Sequence, residues 1–178
     1  ENNFKRALNM LDYYKGLQKA IDSFETPDVI IGSSVHPLAC VSAIRLSRKL
    51  KCKNIIEIRD LWPEAIVLHG SMSKRNPIVL CMYALEKWIY SHADSLIFTM
   101  EGGAQYIRDK GWDEEHGGPV ALRKVHSINN GIDIDLFDRN RIEHEYRNEL
   151  LDDAAKLKVV YAGSIRKLNN VMFIVEAA

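Results

Sequence analysis

Short apolar runs alternate with longer helical patterns along most of the chain. Over residues 4–24, apolar side chains recur at three- and four-residue steps, as on one face of an amphipathic helix. Later runs are short, apolar and bounded by turn residues, which is typical of strands buried on both faces of a parallel sheet. Four of them predict parallel strands at residues 29–32, 55–58, 96–99 and 125–128. The alternation predicts an α/β fold, a Rossmann-like parallel sheet with helices on both faces.

Two of the predicted helices carry clear start or stop signals. Asn76 followed by Pro77 suits a helix N-cap and first helical position. Gly111 ends the helix predicted over residues 102–110, because glycine readily adopts the left-handed conformation found just after helices. These signals place helices between the predicted strands.

The chain changes character after its fourth predicted strand. Residues 132–155 mix acidic and basic side chains, which is typical of a solvated helix between two domains. Residues 157–162 predict a fresh strand, and a final helix begins near Asn169. We therefore predict a partial N-terminal Rossmann-like domain at residues 1–135, a linker helix at 136–156, and the first strand-helix unit of a second domain at 157–178.

Composition excludes some classes of protein. The 178 residues are 47% hydrophobic and 27% charged, which is ordinary for a soluble globular domain. The chain has 24 Lys plus Arg and 24 Asp plus Glu, so it lacks the basic excess of most nucleic-acid binders. The three cysteines, Cys40, Cys52 and Cys81, show no Cys-x-x-Cys spacing and predict buried reduced thiols in a cytosolic protein.

Candidate chemistry is concentrated in residues 57–64, Glu-Ile-Arg-Asp-Leu-Trp-Pro-Glu. The stretch begins as the end of a strand and continues as a loop, because the proline after Trp62 lacks an N–H and restricts Trp62 to extended conformations. Arg59, Asp60, Trp62 and Glu64 provide a cation, two carboxylates and an indole. Ligands of open parallel sheets bind outside the carboxyl ends of the strands, so this loop predicts a binding site.

Residues after the neighbouring strands are expected at the same edge of the sheet. His36 follows the first strand, and Thr99 and Glu101 end or follow the third. The sequence leaves structural alternatives open at each place. Arg59 and Asp60 could form a surface ion pair, and the lone histidine could simply be solvated.

Five motifs occur in an order that resembles a known family. They are Pro-Asp-Val-Ile-Ile, Glu-Ile-Arg-Asp-Leu-Trp-Pro-Glu, Ala-Asp-Ser-Leu-Ile-Phe-Thr, Asn-Gly-Ile-Asp and Tyr-Ala-Gly-Ser, at residues 27–31, 57–64, 93–99, 130–133 and 161–164. The chain resembles the family 4 glycosyltransferases, retaining enzymes of the GT-B fold, and is most similar to the bacterial polysaccharide-biosynthesis branch. That resemblance implies two Rossmann-like domains, with the acceptor-side domain first and the donor-side domain second.

The resemblance also implies what this chain lacks and what it does. The opening strand with its glycine-rich loop would precede Glu1, and the glutamates that hold the donor sugar would follow Ala178. The chain is therefore expected to be an inactive fragment, truncated at both ends, of an enzyme that transfers a sugar from a nucleotide diphospho-sugar to a saccharide or lipid-linked acceptor. A nucleotide-sugar epimerase of the same fold and a non-catalytic binding module are the alternatives.

Roles implied by the resemblance fall into three groups. The catalytic pair would be Asp60 and Arg59. The acceptor-binding residues would be His36, Trp62, Glu64, Thr99 and Glu101. The donor-binding residues, which follow a strand and precede a helix where an anion is favoured, would be Gly163, Ser164, Arg166 and Lys167.

The remaining expectations concern the hinge, cofactors, partners and location. Asn130 and Gly131 would form the hinge between domains. No metal and no cofactor are expected, and the nucleotide diphospho-sugar is a substrate. No nucleic acid is expected as a partner, whereas peripheral membrane contact and a homo-oligomer through the truncated end are left open. The expected location is cytoplasmic, with the inner face of the membrane as the open alternative.

Overall fold

A four-stranded parallel sheet forms the centre of the computed structural model, which describes residues 4–68, 72–165 and 169–177. The strands are β1 (Val29–Ser33), β2 (Lys53–Ile58), β3 (Ser95–Phe98) and β4 (Val125–Ser127), and they lie in the order β1-β2-β3-β4. In register, Ile31 pairs with Ile55, which pairs with Ser95. The four predicted strands and their parallel pairing are confirmed.

Helices connect the four strands, and further helices come after β4 in the chain. The described residues contain α1 (Phe4–Ala20), α2 (Pro37–Leu50), α3 (Glu64–Leu68), α4 (Pro77–His92), α5 (Gly103–Asp109), α6 (Ile134–Glu143), α7 (Glu149–Asp152) and α8 (Val171–Ala177). The predicted cap of α4 is present, because the Asn76 Oδ1 accepts a hydrogen bond of 2.9 Å from the Ile78 N–H. Gly111, with φ of 62°, follows α5 as predicted.

The hydrophobic core lies on one face of the sheet. Each strand lies directly beside its predecessor, and right-handed crossovers in that order put the connecting helices on the same face. The sheet residues that are buried alternate along the strands and share this face: Gly32, Asn54, Ile56, Ile58, Leu96 and Phe98. On the opposite face of β1, Val29 is 43% exposed and Ile31 is 68% exposed. The sequence predicted strands buried on both faces, but the described residues bury only one.

Helix α2 approaches the sheet closely at Gly32. A Cβ added there would lie 2.6 Å from the Cβ of Ala43, so the close approach requires glycine. Helix α1 packs on α2, and Arg45 on α2 donates a 2.5 Å hydrogen bond to the Tyr14 hydroxyl on α1. The loop between β1 and α2 lies at the carboxyl edge of the sheet, because it follows the last residue of β1.

The contacts divide the chain into two units, Glu1–Asn130 and Gly131–Ala178. In the second unit, none of residues 131–149, 151–165 and 169–177 is buried. The predicted strand at residues 157–162 is not formed, and two short helices, α6 and α7, replace the single predicted linker helix. An isolated strand leaves its backbone hydrogen-bonding groups unpaired, and the described part of this unit offers no neighbouring strand. The domain boundaries at residues 135 and 156 stay a prediction.

The three cysteines differ in burial. All are free thiols, with Cys40 buried, Cys52 partly buried and Cys81 exposed. The prediction of buried thiols is therefore wrong for Cys81, because it lies on the solvent side of α4. Among the described helices, none has the length and apolar character needed to cross a membrane.

Candidate functional site

Hydrogen bonds continue the parallel ladder past the ends of the strands. The Ser34 N–H donates to the Glu57 carbonyl at 2.8 Å, and the Thr99 N–H donates to the Ile58 carbonyl at 3.1 Å. These bonds align the strand ends, so the loops that follow β1, β2 and β3 meet at one edge. This is the edge that the sequence predicts for the site.

A cleft of about 320 Å³ opens at this edge. Its lining residues are Val35, Arg59, Asp60, Thr99, Met100 and Asn130. That volume is in the range of small-molecule sites, which is roughly 300–1,000 Å³. The structure thus brings together Arg59, Asp60 and Thr99 among the predicted site residues.

The charged side chains of the cleft are available to a ligand. Arg59 and Asp60 are both exposed, and no hydrogen bond or ion pair joins either side chain to another residue in the part of the chain that the structure describes. The surface ion pair that the sequence left open is therefore not formed between described residues. Thr99 differs, because it is only 8% exposed and its hydroxyl lies 3.4 Å from the Ile58 carbonyl.

Ser34 anchors the start of the Asp60 loop. It is 5% exposed, and its hydroxyl oxygen accepts a 2.8 Å hydrogen bond from the Arg59 N–H and a longer one of 3.4 Å from the Asp60 N–H. The sequence analysis did not single out Ser34. The available signal was a small hydroxyl residue directly after β1, where serine often bonds to nearby backbone.

His36 and Glu101 lie at the same edge but outside this cleft. Glu101 lines an adjacent hollow of about 80 Å³, together with Arg59. His36 lines a separate apolar groove of about 510 Å³ between α1, α2 and β1. Its Nδ1 is buried and unpartnered among the described residues, and burial lowers the pKa of His36, so the ring is neutral at pH 7.

Trp62 faces inward from the loop. Its indole lines an inner cavity of about 20 Å³ together with Asp60 and Glu86, among other residues. The indole N–H is buried and has no hydrogen-bond partner within the described chain. Trp62 does not line the 320 Å³ cleft, so an anchoring position fits the geometry better than a platform for a sugar ring.

Glu64 points away from the cleft toward α4 and α5. Its carboxylate accepts hydrogen bonds from the Tyr83 hydroxyl at 2.6 Å and the Lys110 ammonium at 2.7 Å, and Lys74 lies 3.3 Å away. Partial burial acts to raise the pKa of Glu64, but the hydrogen bonds from Lys110 and Tyr83 and the charge of Lys110 outweigh it and lower the pKa to about 2. Glu64, predicted as an acceptor-binding residue, thus has three protein partners in the described structure, and its acceptor-binding role stays a prediction.

A second carboxylate, Glu86, is buried between α4 and α5. It is 4% exposed and accepts hydrogen bonds from the Tyr90 hydroxyl at 2.8 Å and the Tyr106 hydroxyl at 2.9 Å. Burial raises the pKa of Glu86 to about 7, although both hydroxyls and the charge of Lys110 oppose the rise. Sequence reasoning missed Glu86, because a single acidic residue in a helix gives the same sequence pattern whether its side chain is buried or faces solvent.

The predicted donor-side residues are only partly described. Gly163 and Ser164 are exposed, and a Cβ added at Gly163 would lie 2.8 Å from the Tyr161 hydroxyl oxygen. Arg166 and Lys167 lie outside the described residues.

The predicted hinge lies at the boundary between the two units, which separates Asn130 from Gly131. Asn130 also lines the cleft. Asp133 of the same motif caps α6, since its Oδ1 accepts a 2.9 Å hydrogen bond from the Leu136 N–H. Within the described ranges there is no cluster of three or more His, Cys, Asp or Glu side chains that could hold a metal ion.

Comparison with known proteins identifies the family to which this chain belongs. Residues 3–120 match the family model described as a glycosyl transferase 4-like domain. The matched region contains β1, β2 and β3 and every residue of the 320 Å³ cleft except Asn130. No curated protein matches the chain. Because the match covers more than half of the 178 residues, the chain belongs to the family of glycosyl transferase 4-like domains.

Proposed function

We propose that the protein transfers a sugar from a nucleotide diphospho-sugar to a hydroxyl of a saccharide or lipid-linked acceptor, with retention of the anomeric configuration. The observation that carries this proposal is the cleft with Arg59 and Asp60 at the carboxyl edge of the sheet, in a member of a glycosyltransferase family. The acceptor classes follow from the resemblance to the bacterial polysaccharide-biosynthesis branch. The family match gives no such support to a nucleotide-sugar epimerase or a non-catalytic module.

In this proposal the cleft holds the acceptor. The Asp60 carboxylate can accept a hydrogen bond from an acceptor hydroxyl, and the Arg59 guanidinium can donate to a second oxygen of the sugar. Neither side chain has to leave a described protein partner before it binds a ligand. Positioning a hydroxyl in this way contributes to catalysis by removing the entropy cost of orientation from the reaction step.

The donor half of the reaction would be electrostatic. Cations that approach the departing diphosphate stabilise the charge that develops in the transition state. We assign this role to Arg166 and Lys167, aided by the backbone around Gly163 and Ser164. Arginine and lysine suit it because their side chains donate charge-assisted hydrogen bonds to phosphate oxygens. No metal ion or further cofactor is part of this proposal.

The isolated chain is proposed to bind acceptor without turning over donor. Across residues 131–149, 151–165 and 169–177 no side chain is buried, so these residues form no core with which to hold a nucleotide sugar rigidly. Exposed apolar residues in it include Leu157 at 93% and Phe173 at 64%. We propose that such surfaces make the isolated chain self-associate. A cytoplasmic location and peripheral contact with the inner membrane face complete the proposal.

An NMR titration of the 15N-labelled chain tests the acceptor site. Candidate mono- and disaccharides are expected to shift the backbone amides of Arg59, Asp60 and Thr99, and Asp60→Asn should weaken that binding while the spectrum stays folded. Glu114→Gln is the matched control, because Glu114 is an exposed carboxylate outside the cleft. If every saccharide leaves these amides unmoved, or if Asp60→Asn binds as wild type does, the acceptor assignment is refuted.

A second assay addresses the donor. A panel of nucleotide diphospho-sugars is incubated with the chain and the saccharide that binds best, and released nucleoside diphosphate is measured. The isolated chain is expected to give no release above background. Turnover at the roughly 1–1,000 per second that is common for enzymes would refute the claim that this chain is inactive.

A further inference from the structure

Glu64 occupies a special place in the sequence of the site. It is the first residue of α3 and follows directly after the loop that carries Arg59, Asp60 and Trp62. Its side chain is only 13% exposed. A carboxylate at this position could have faced the cleft, yet all its described partners lie on the other side, toward α4 and α5.

The partners of Glu64 come from separate parts of the fold. Tyr83 belongs to α4, Lys110 follows the last residue of α5, and Lys74 lies in the segment that leads to α4. The ammonium group of Lys110 also lies 4.1 Å from the ring centroid of Tyr83 and 5.2 Å from that of Tyr106. Glu64 therefore joins the end of the loop to α4 and to the end of α5.

The ion pair between Glu64 and Lys110 is partly enclosed, so it is stronger than an ion pair on the exposed surface. The side chains of Lys110 and Glu64 are 21% and 13% exposed, so solvent screens their attraction less than it screens an exposed pair. Removal of the Glu64 charge would leave the Lys110 ammonium partly buried without this counter-charge, which costs more than the pair itself contributes. The contact should thus resist displacement by water.

The loop has a second anchor at its other end. The Ser34 hydroxyl oxygen accepts hydrogen bonds from the N–H groups of Arg59 and Asp60, as described above. Ser34 holds the start of the loop and Glu64 follows its end. The side chains of Arg59 and Asp60 on this loop make no hydrogen bond to described residues. Contacts made by Ser34 and Glu64 outside the cleft, together with Leu61 packed against the core and buried Pro63, therefore hold the loop that carries Asp60.

We propose that Glu64 is a positioning residue, which fixes the loop of residues 59–62 on α4 and α5 and so presents Asp60 to the acceptor. The effect on acceptor binding rests on the proposed function, whereas the effect on the loop does not. A purely structural role for Glu64 would alter global stability and leave the loop in place. The two roles therefore differ in what a substitution does locally.

The experiment compares Glu64→Gln with the control Glu114→Gln, which alters an exposed carboxylate paired with Arg123. The probes are the amide resonances of residues 59–62 and the indole N–H resonance of Trp62, assigned with Trp62→Phe. The indole of Trp88, which stacks on His92 at 4.4 Å, is the internal reference. Thermal unfolding is measured in parallel, and the dissociation constant of the saccharide found above is measured for each variant.

Glu64→Gln is expected to shift or broaden the loop amides and the Trp62 indole while the Trp88 resonance stays in place. Saccharide affinity should fall by about tenfold. Lys110→Arg, which keeps the charge, should stay close to wild type, and Lys110→Met should reproduce the loop shifts. Glu114→Gln should change none of these resonances.

Loop resonances at their wild-type positions in folded Glu64→Gln would overturn the inference, even if the melting temperature falls. If Glu64→Gln does not fold, Tyr83→Phe removes one donor and keeps the Lys110 pair, and the same comparison applies to it. A wild-type protein that binds no saccharide refutes the proposed function. The loop resonances still decide the role of Glu64 in that case.

Discussion

Glu86→Gln is expected to stabilise the protein at alkaline pH and to have little effect at acidic pH. Glutamine has nearly the volume of glutamate, so the contact between α4 and α5 keeps its packing. The amide oxygen can accept from the Tyr90 hydroxyl, and the amide N–H can donate to the Tyr106 hydroxyl oxygen, so both present hydrogen bonds have a substitute. The substitution thus removes the charge of Glu86 and leaves its neighbours partnered.

The magnitude follows from the raised pKa of Glu86. Burial raises this pKa from an ordinary 4.5 to about 7, so the folded protein binds the proton more tightly than the unfolded chain does. The protonated group therefore contributes stability that is fully present below pH 4.5 and is lost as the pH rises through 7. Between pH 5 and pH 8 the loss amounts to about 2.5 kcal/mol of unfolding free energy.

Urea unfolding at pH 5, 6, 7 and 8 measures this effect for wild type, Glu86→Gln and the control Glu114→Gln. The difference in unfolding free energy between Glu86→Gln and wild type should grow in favour of the variant by about 2.5 kcal/mol from pH 5 to pH 8. The control alters a carboxylate that is 58% exposed and should show no such trend. A difference between Glu86→Gln and wild type that does not change with pH would refute the reasoning.

Three further predictions concern packing, capping and association. Gly103→Ala places a Cβ 2.3 Å from the buried ring of Phe98 and should cost about 1–3 kcal/mol of unfolding free energy. The control Gly16→Ala adds a Cβ in open space within α1 and should not destabilise the protein, so equal shifts of the two urea midpoints would contradict this prediction. Asn76→Ala removes the cap of α4 and should cost about 1 kcal/mol in the same assay, and an unchanged midpoint would argue against the cap. Light scattering coupled to size-exclusion chromatography should show a mass that rises with concentration, because the apolar side chains of residues 157–161 are exposed; a monomeric mass throughout would exclude self-association.

Local signals predicted most of the sheet and its helices. Short apolar runs bounded by turn residues gave the four strands, and the Asn76-Pro77 pair gave the first residue of α4. The edge at which Arg59 and Asp60 lie was also predictable, since parallel strands end on the same side. These features depend on residues that are close in sequence or on general rules of topology.

The features that the sequence did not predict depend on contacts between residues far apart in the chain. Glu64 meets Tyr83 and Lys110, which are 19 and 46 positions away, so no local pattern shows that its carboxylate turns from the cleft. Burial of only one face depends on the spatial order of the strands, which apolar runs alone do not encode. Residues 157–162 have the composition of a strand, but strand formation also requires a neighbour to pair with.

The polar groups around the cleft divide into two sets, and the division suits a binding site. Ser34, Glu64 and Glu86 have hydrogen-bond partners from distant parts of the chain; Ser34 bonds to the loop that carries Asp60, Glu64 follows that loop, and Glu86 lines an inner cavity with Asp60 and Trp62. Asp60 itself, and Arg59 beside it, have no side-chain partner among the described residues. The buried Glu86 carboxylate is costly at neutral pH, and an apolar residue of similar size would hold α4 to α5 at less cost. The two carboxylates contribute directional hydrogen bonds. Their bonds with Tyr90, Tyr106 and Lys110 set the orientation of α4 relative to α5, whereas apolar contacts alone would let the two helices slide along each other. Under the proposed function, an acceptor that enters the cleft would meet a loop whose backbone is already anchored, so its binding energy would not be consumed in ordering that backbone.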